Sequence, residues 1–516
     1  MATRSVDHVS APLIDLTAAA PAPAALAGRI TERAPRVVVV GDALLDGWLS
    51  GPARRLGRDG PVPVVELAET RIAAGGAGNA AVNLAALGAR VDLVAVLGDD
   101  ADAAPLRGLL HEAGVRTAHC VTEEGRATAV KRRLVSGGQP LARYDAGPEH
   151  PPRPATAGAL VAALEAVLDQ DGADPVDAVL VADYGLGAVG TEVRDAVRRL
   201  RPRIPLLVVD TRAGDGWAAL HPDLVTPNAA EAATLIGGEE PVGAGRRLAW
   251  VLNRRADLVA AAGGGDVVVT LDVDGAVRLP ADPTAPAQRT TARPGPESRA
   301  CGAGDTFTAA LTAALAAGTG AEEALVLAQC AADVVVGQDG TAVCSAGALT
   351  ARLAARDRGG LLEHRDLLAI LAEHRRRGSR IVFTNGCFDV LHRGHVAYLR
   401  QARALGDVLV VALNDDESVS RLKGPDRPVN PLEDRAGVVG AIECVDLVTS
   451  FSEDTPAGLI EAVRPDVYTK GGDYTPQMLP ETPIVERLGG EVRVLDYLSD
   501  HSTTAIVGRI KAGGRR

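Results

Sequence analysis

The chain has 516 residues, of which 47% are hydrophobic and 23% charged, with a formal net charge of −12. That length predicts two or three domains, and the acidic balance excludes a nucleic-acid binder whose affinity rests on neutralising phosphates. No apolar run reaches the roughly 18 residues of a membrane span, and six scattered cysteines, none in a C-x-x-C pair, speak against a zinc ribbon or redox dithiol and fit a reducing cytoplasm.

Residues 1–35 are rich in Ala and Pro, without a basic segment leading into an apolar block, and read as a disordered extension rather than a signal peptide. RVVVVGDALLDGW (36–48) reads as a buried strand entering a Gly-Asp turn, and VDLVAVLGDDADA (91–103) repeats the pattern. AVLVADYGLGAV (178–189) and IPLLVVDTRAGD (204–215) are further apolar strands ending in Asp-bearing loops, DVVVTLDVDGAVRLP (266–280) a hairpin, and CGAGDTFTAALTAALAAG (301–318) a Gly-rich turn opening a helix. Strands alternating with helices predict a doubly wound, mostly parallel α/β sheet over 36–350, with ligands at the carboxyl ends of its strands. A charged, helix-prone linker follows at 351–378, and a second, five-stranded βα series of Rossmann-like pattern fills 379–516. Among 54 basic residues only Lys131, Lys423, Lys470 and Lys511 are lysines. A lysine kept against that bias suggests a need for a compact point charge.

Gly302-Ala303-Gly304-Asp305 opens a helix, where small residues expose backbone N–H groups to an anion. A carboxylate there is electrostatically odd unless it accepts a substrate proton or caps the helix. Asn228 and Glu231, three apart in TPNAAEAATL (226–235), suit either a Mg²⁺ beside phosphates or a capping box. RIAAGGAGNAAVNLAALG (71–88) offers glycines for close approach of a sugar, or for helix–sheet packing.

Taken in order, GDALLDGW, AGGAGNAAVNLAALG, VADYGLGAV, VVDTRAG, TPNAAEA, VTLDVDGA and GAGDTF resemble the motifs of ribokinase-type (PfkB-like) sugar kinases over about residues 36–350. The resemblance implies a ribokinase-like domain with Asp305 as catalytic base and the backbone of Gly302, Ala303 and Gly304 as anion hole. It also implies Asn228, Ala229, Ala230 and Glu231 as the nucleotide region, with Glu231 toward Mg²⁺. Asp42, Gly75, Gly76 and Asn79 would be sugar contacts. The chain departs from the pattern where Ser298-Arg299-Ala300-Cys301 replaces the family's D-x-T, a change bearing on a monovalent-cation site. Leu186 and Arg212 stand where lysines are common, and Leu186 is expected to weaken the hold on a substrate phosphate.

Downstream, His392 and His395 sit three apart around Gly394, after an apolar strand and an Asn-Gly turn. At a first helical turn both imidazoles face one side. With no H-E-x-x-H, a zinc protease is excluded; the pair suits binding a triphosphate and stabilising charge at an attacked phosphorus. TNGCFDVLHRGHVAYLRQARALGD, with ALNDDESVSRLKGPDRPVNPLEDR, YTKGGDY and HSTTAIV, resembles the cytidylyltransferase-like nucleotidyltransferases over about 379–512. The resemblance implies His392 and His395 in catalysis, Lys423 at phosphate and Lys470 at substrate. Ser502, Thr503 and Thr504 would receive the outer phosphates, unless they only cap a helix; Arg435 is either structural or an adenylate contact.

A sugar kinase joined in this order to an H-x-G-H transferase resembles the bifunctional enzymes of ADP-heptose formation. That implies ATP as co-substrate with Mg²⁺, phosphorylation of heptose 7-phosphate at C1, and adenylyl transfer to heptose 1-phosphate. It further implies a cytoplasmic homo-oligomer, a dimer, whose partners are sugar phosphates and ATP, with neither nucleic acid nor membrane. Two alternatives stay open: the same chemistries on another sugar phosphate, and a degenerate kinase half that serves the transferase as a regulatory or dimerisation scaffold.

Overall fold

The structure is a computed structural model. It describes all residues except 1–12, 17–24, 59, 149, 170–173, 213–215, 240–245, 293–300, 337, 339, 358–360, 377, 472–477 and 496–516. The chain divides into two compact units, 1–350 and 351–516.

In the first unit the valine runs, apolar on both faces, form the centre of a nine-stranded sheet. Its spatial order is Leu13–Asp15, Ala287–Thr290, Ala276–Leu279, Asp266–Thr270, Leu224–Val225, Leu207–Thr211, Ala178–Asp183, Arg36–Gly41 and Arg90–Val94. From Asp266–Thr270 to Arg90–Val94 every pairing is parallel, and the 266–280 hairpin is antiparallel. On one face Val38, Val40, Val179, Val181 and Val209 pack against Leu160, Leu164, Val193 and Val197, all essentially inaccessible. Each such burial contributes about 1.5–3 kcal/mol. The Ala-rich helix Ala303–Ala316 packs between Ala77–Ala86 and Ala321–Val335. Its small side chains let the helix beginning at Gly302 come close to the one beginning at Gly76.

The segment 36–48 is two strands rather than one. Arg36–Gly41 belongs to the large sheet, whereas Ala43–Ser50 pairs with Glu69–Gly76 and Val130–Ser136 in a separate four-stranded sheet that Gln139–Ala146 completes. Asp42 sits at the change of sheet.

The expected disorder of 1–35 does not hold for its described parts. Leu13–Asp15 adds a parallel strand beside Ala287–Thr290, and Ala25–Arg33 is a helix. Leu16, Leu26 and Ile30 are buried, so apolar side chains spaced among the alanines anchor what composition alone makes look unstructured.

In the second unit six parallel strands form one sheet, in the order Leu361–Leu362, Leu447–Phe451, Val408–Asn414, Ile381–Gly386, Val467–Gly471 and Glu491–Leu495. The segment expected to be a linker supplies the first of these strands and the helix His364–Arg376, whose Leu367 and Leu371 lie in the core with Phe383 and Tyr468. The charges that suggested a linker cover that helix's outer face. Ile381–Gly386 lies between the next strand in sequence on one side and the later Val467–Gly471 on the other. That reversal of strand order opens a crevice at the carboxyl ends. Asn385 and Gly386, expected in a turn, are the last residues of the first of these two strands.

Candidate functional sites

In the first unit, Gly302 caps the helix Ala303–Ala316 with φ 81°, in the left-handed region that favours glycine. A Cβ on Gly302 would also lie 2.8 Å from the Asn79 amide nitrogen, whereas one on Gly304 would meet nothing within 4 Å. The helix start is thus tight against Asn79 and open at Gly304, where an anion has room.

Asp305 lies in the first turn. The Tyr184 hydroxyl donates to its Oδ1, and Asn79 Nδ2 donates to its Oδ2 at 2.7 Å. Asn79 is held in turn: Asn83 Nδ2 donates to its Oδ1 at 3.0 Å, and Asn83 Oδ1 accepts from Thr306 Oγ1 and from the Cys344 amide. Burial pushes the Asp305 carboxyl above its ordinary range and the Asp46 carboxylate adds to this, while the bonds from Tyr184 and Asn79 and the Arg212 charge oppose it. A carboxylate with raised basicity at the positive end of a helix can take a proton from a hydroxyl beside a bound phosphate.

The other expected contacts divide. Asn79 is 1% exposed and reaches a ligand only through Asp305. Asp42, expected at the sugar, instead accepts from the backbone amides of Tyr184, Leu186 and Ala188 at 2.8–3.0 Å. It fixes the loop that carries Tyr184 to Asp305. A Cβ on Gly75 would lie 2.7 Å from Asp46 Oδ2, and one on Gly76 2.5 Å from the Asp42 carbonyl, so both glycines clear space for neighbours. Asp46, which sequence reasoning passed over, is buried beside Arg133 at 3.2 Å and accepts from Thr341 Oγ1 at 3.0 Å. Its one signal was a carboxylate within the apolar run ALLDGW.

Asn228 and Glu231 form a capping box: Glu231 N donates to Asn228 Oδ1 and Asn228 N to Glu231 Oε2, both at 2.9 Å. Ala229 is buried and Ala230 exposed. The second Glu231 oxygen faces Arg212 at 3.8 Å. Burial raises the Glu231 carboxyl, and burial together with the Glu231 and Asp305 charges raises Asp210 strongly. Crowded carboxylates of this kind fit a divalent cation. Among the described residues no group of three or more His, Cys, Asp or Glu side chains could hold a metal ion by itself. Arg212 and Lys131 flank the Tyr184 ring at 4.7 and 5.4 Å, supplying positive charge at the same edge.

In the second unit His392 caps the helix Arg393–Arg403, its Nδ1 accepting from the Gly394 amide at 3.2 Å. That bond leaves the proton of a neutral ring on Nε2. The His395 ring stacks on it with centroids 3.9 Å apart, and the Phe388 ring lies tilted against His395 at 5.2 Å. Burial, and then the charges of His392 and Lys423, push His395 down to about 4. Lys423 ends the helix Asp416–Lys423 and is exposed. Lys470, half-buried, donates to Asn385 Oδ1 at 3.0 Å, and the Tyr468 hydroxyl donates to the same oxygen at 2.8 Å. Asn385 was missed because it reads as part of a turn, and Tyr468 because it reads as strand material. Arg435 is wholly internal: it donates to the carbonyls of Cys387, Asn414 and Asn430 and pairs with Asp416 at 2.6 Å, which makes it structural. Ser502, Thr503 and Thr504, like Ser298, Arg299 and Ala300, lie outside the described residues.

Residues 34–347 match the pfkB family carbohydrate kinases and residues 383–508 the cytidylyltransferase-like family. The bifunctional protein HldE of Pseudomonas paraeruginosa is 41% identical over 93% of this chain and 98% of its own length. That of Alcanivorax borkumensis is 40% identical over 92% and 97%. Among solved structures, Escherichia coli phosphofructokinase-2 in complex with substrates and products shares the first unit's fold, with a TM-score of 0.50 at 19% identity over 62% of this chain and 98% of that one. The chain therefore belongs to the bifunctional HldE family, enzymes in which a PfkB-type carbohydrate kinase is joined to a cytidylyltransferase-like nucleotidyltransferase.

Proposed function

We propose that the first unit transfers the γ-phosphoryl group of ATP to C1–OH of heptose 7-phosphate, and that the second transfers AMP from ATP to heptose 1-phosphate. The observation that carries this reading is the pair of helix starts, Gly302–Asp305 and His392–His395, each furnished for a phosphate and each in its own α/β unit. In the kinase, Asp305 accepts the hydroxyl proton as the sugar oxygen attacks. The amides of Gly302, Ala303 and Gly304 receive the phosphoryl oxygens, and the capped turn from Asn228 through Ala229 and Ala230 to Glu231 borders the nucleotide. Mg²⁺, held through Glu231 with Asp210 beside it, would neutralise phosphate charge when bound. Asp46 and the strand end at Gly75 and Gly76 border the sugar, with Asn79 acting through Asp305. The hydrogen-bonded setting of Asp305 favours catalysis over a scaffold role.

In the transferase, a sugar-phosphate oxygen attacks the α-phosphorus, the bond to the bridging oxygen breaks, and pyrophosphate leaves. His392, through its Nε2, and the neutral His395 donate hydrogen bonds to the phosphate oxygens, while Lys423 and Lys470 supply charge. Ser502, Thr503 and Thr504 are proposed to meet the outer phosphates. The working form is a cytoplasmic homo-oligomer, a reading supported by exposed apolar side chains on the strands of the smaller sheets, Leu56, Ile72, Leu141 and Tyr144. Among the described residues no helix is long and apolar enough to cross a membrane.

A ³¹P NMR time course with ATP, Mg²⁺ and heptose 7-phosphate tests both halves. A 1,7-bisphosphate is expected first, then ADP-heptose and pyrophosphate once an external phosphatase is added. No bisphosphate, with ADP-sugar still formed from heptose 1-phosphate, would remove the kinase assignment.

The His395 ring also has a testable charge state. Its folded pKa of about 4 lies below the ordinary histidine value of 6.5, so the unfolded chain binds the extra proton first. Its contribution to stability is whole above about pH 6.5 and is lost as pH falls through about 4. The His395 ring resonance in an NMR titration is expected to stay that of a neutral imidazole down to pH 5; a midpoint near 6.5 would refute the buried, neutral ring.

A further inference from the structure

Three buried carboxylates show how this chain ordinarily satisfies such groups. Asp42 takes three backbone amides. Asp389 takes the amides of Val429 and Asn430 on one oxygen and Arg427 on the other. Asp92 engages Arg36 and Arg116 with both oxygens. Each is an acceptor-only group whose desolvation is offset by donors, as burial requires.

Glu481 departs from this rule. It is 5% exposed, and its Oε2 has no hydrogen-bond partner among the described residues. It neighbours the hydroxyl of Tyr468 and the charge of Lys470, both of which meet Asn385 near the carboxyl end of Ile381–Gly386. The Tyr468 hydroxyl is also within hydrogen-bonding reach of the Glu481 carboxyl, but it has a single proton, and both it and Lys470 point to Asn385 Oδ1, which leaves Glu481 Oε2 without a donor among the described residues. The cluster therefore holds a cation, a saturated amide oxygen and one unsatisfied carboxylate oxygen, at the crevice where parallel sheets bind ligands.

We propose that Glu481 is a hydroxyl-binding residue of the transferase site, its free oxygen accepting a hydrogen bond from a substrate hydroxyl while Lys470 meets a phosphate. This rests on the transferase reading above. Two sources carry that chemistry, the acceptor sugar and the ribose of ATP, and the test separates them.

The experiment measures pyrophosphate release by the full chain, native, E481Q and E481A, with ATP and heptose 1-phosphate. Acceptors each lacking one hydroxyl, and 2′-deoxy and 3′-deoxy ATP, complete the set. A hydrogen bond to a charged group predicts a rise in KM of about 10- to 100-fold for one substrate and little change for the other. On the native enzyme one deoxy analogue should lose a similar factor, and E481A should impose no further loss on that analogue. A sugar analogue behaving so assigns the acceptor, and a deoxy ATP assigns the ribose. Equal losses on every analogue, or unchanged KM values in both variants, would overturn the inference. The native analogue series decides independently of variant folding, since full tolerance of every missing hydroxyl also overturns it. Absence of pyrophosphate release by the native enzyme from any sugar 1-phosphate would instead defeat the transferase reading.

Discussion

Replacing Asp305 with asparagine is expected to lower kinase turnover by about 10²- to 10⁴-fold, the range of a lost general base, with the KM for ATP little changed. The substitution keeps the size of the side chain and removes its proton affinity. It also sets one amide edge against the two donors, Tyr184 O–H and Asn79 Nδ2, that now converge on the carboxylate. The loss should appear in kcat and kcat/KM together, the mark of an interaction made in the transition state. Because burial raises the Asp305 carboxyl, native kinase activity should fall on acidification at a pH above the ordinary carboxylate range, where the base becomes protonated. Adenylyl transfer by D305N, measured on the same sample as pyrophosphate release, is expected at the native rate. A D305N enzyme with native kinase turnover would remove Asp305 from the mechanism.

Replacing Arg435 with alanine is expected to destabilise the second unit by about 3–5 kcal/mol, the cost of breaking a buried charge network by one partner. The buried guanidinium ties together the strand end at Asn414, the loop at Cys387 and the carbonyl of Asn430, and its removal strands the buried Asn414 carbonyl, two part-buried carbonyls and the half-exposed Asp416. That is a large part of the roughly 5–15 kcal/mol that holds a domain together. Each unit has its own core, so transferase activity should disappear at much lower urea than in the native chain while kinase activity persists. R435K should rescue little, because an ammonium cannot reproduce the planar fork. An unaltered urea midpoint for transferase activity would contradict the account.

The parts of the fold that the sequence announces are those where side chains have one environment. Runs such as RVVVV and AVLVA are buried on both faces and can only be central strands. The small sheet of the first unit was illegible for the opposite reason. Gln139–Ala146 is exposed along its whole length and Val130–Ser136 is half-exposed and basic, so neither shows an apolar period. Asp42 and Asp46 illustrate the same limit in the site. Both are aspartates in one short motif, and only the change of sheet between Gly41 and Ala43 decides that the first serves backbone amides and the second faces Arg133. Asn228 and Glu231 were legible as a pair, and of its two readings the geometry shows the capping box, which uses one Glu231 oxygen while the other faces Arg212. His392 and His395 were legible because glycine and helix spacing allow little else. The lowered pKa of His395 was not, since it comes first from burial and then from the charges of His392 and Lys423.

The scarcity of lysine has a practical corollary. Of the four lysines, Lys131 lies against the Tyr184 ring, the Lys423 charge bears on His395, and Lys470 is bonded to Asn385. An amine-acylating reagent thus encounters a protein whose targets, Lys511 and the amino terminus aside, lie beside the two proposed sites. Mass-spectrometric footprinting with such a reagent becomes a direct occupancy gauge for both sites in one sample, with the many arginines chemically silent.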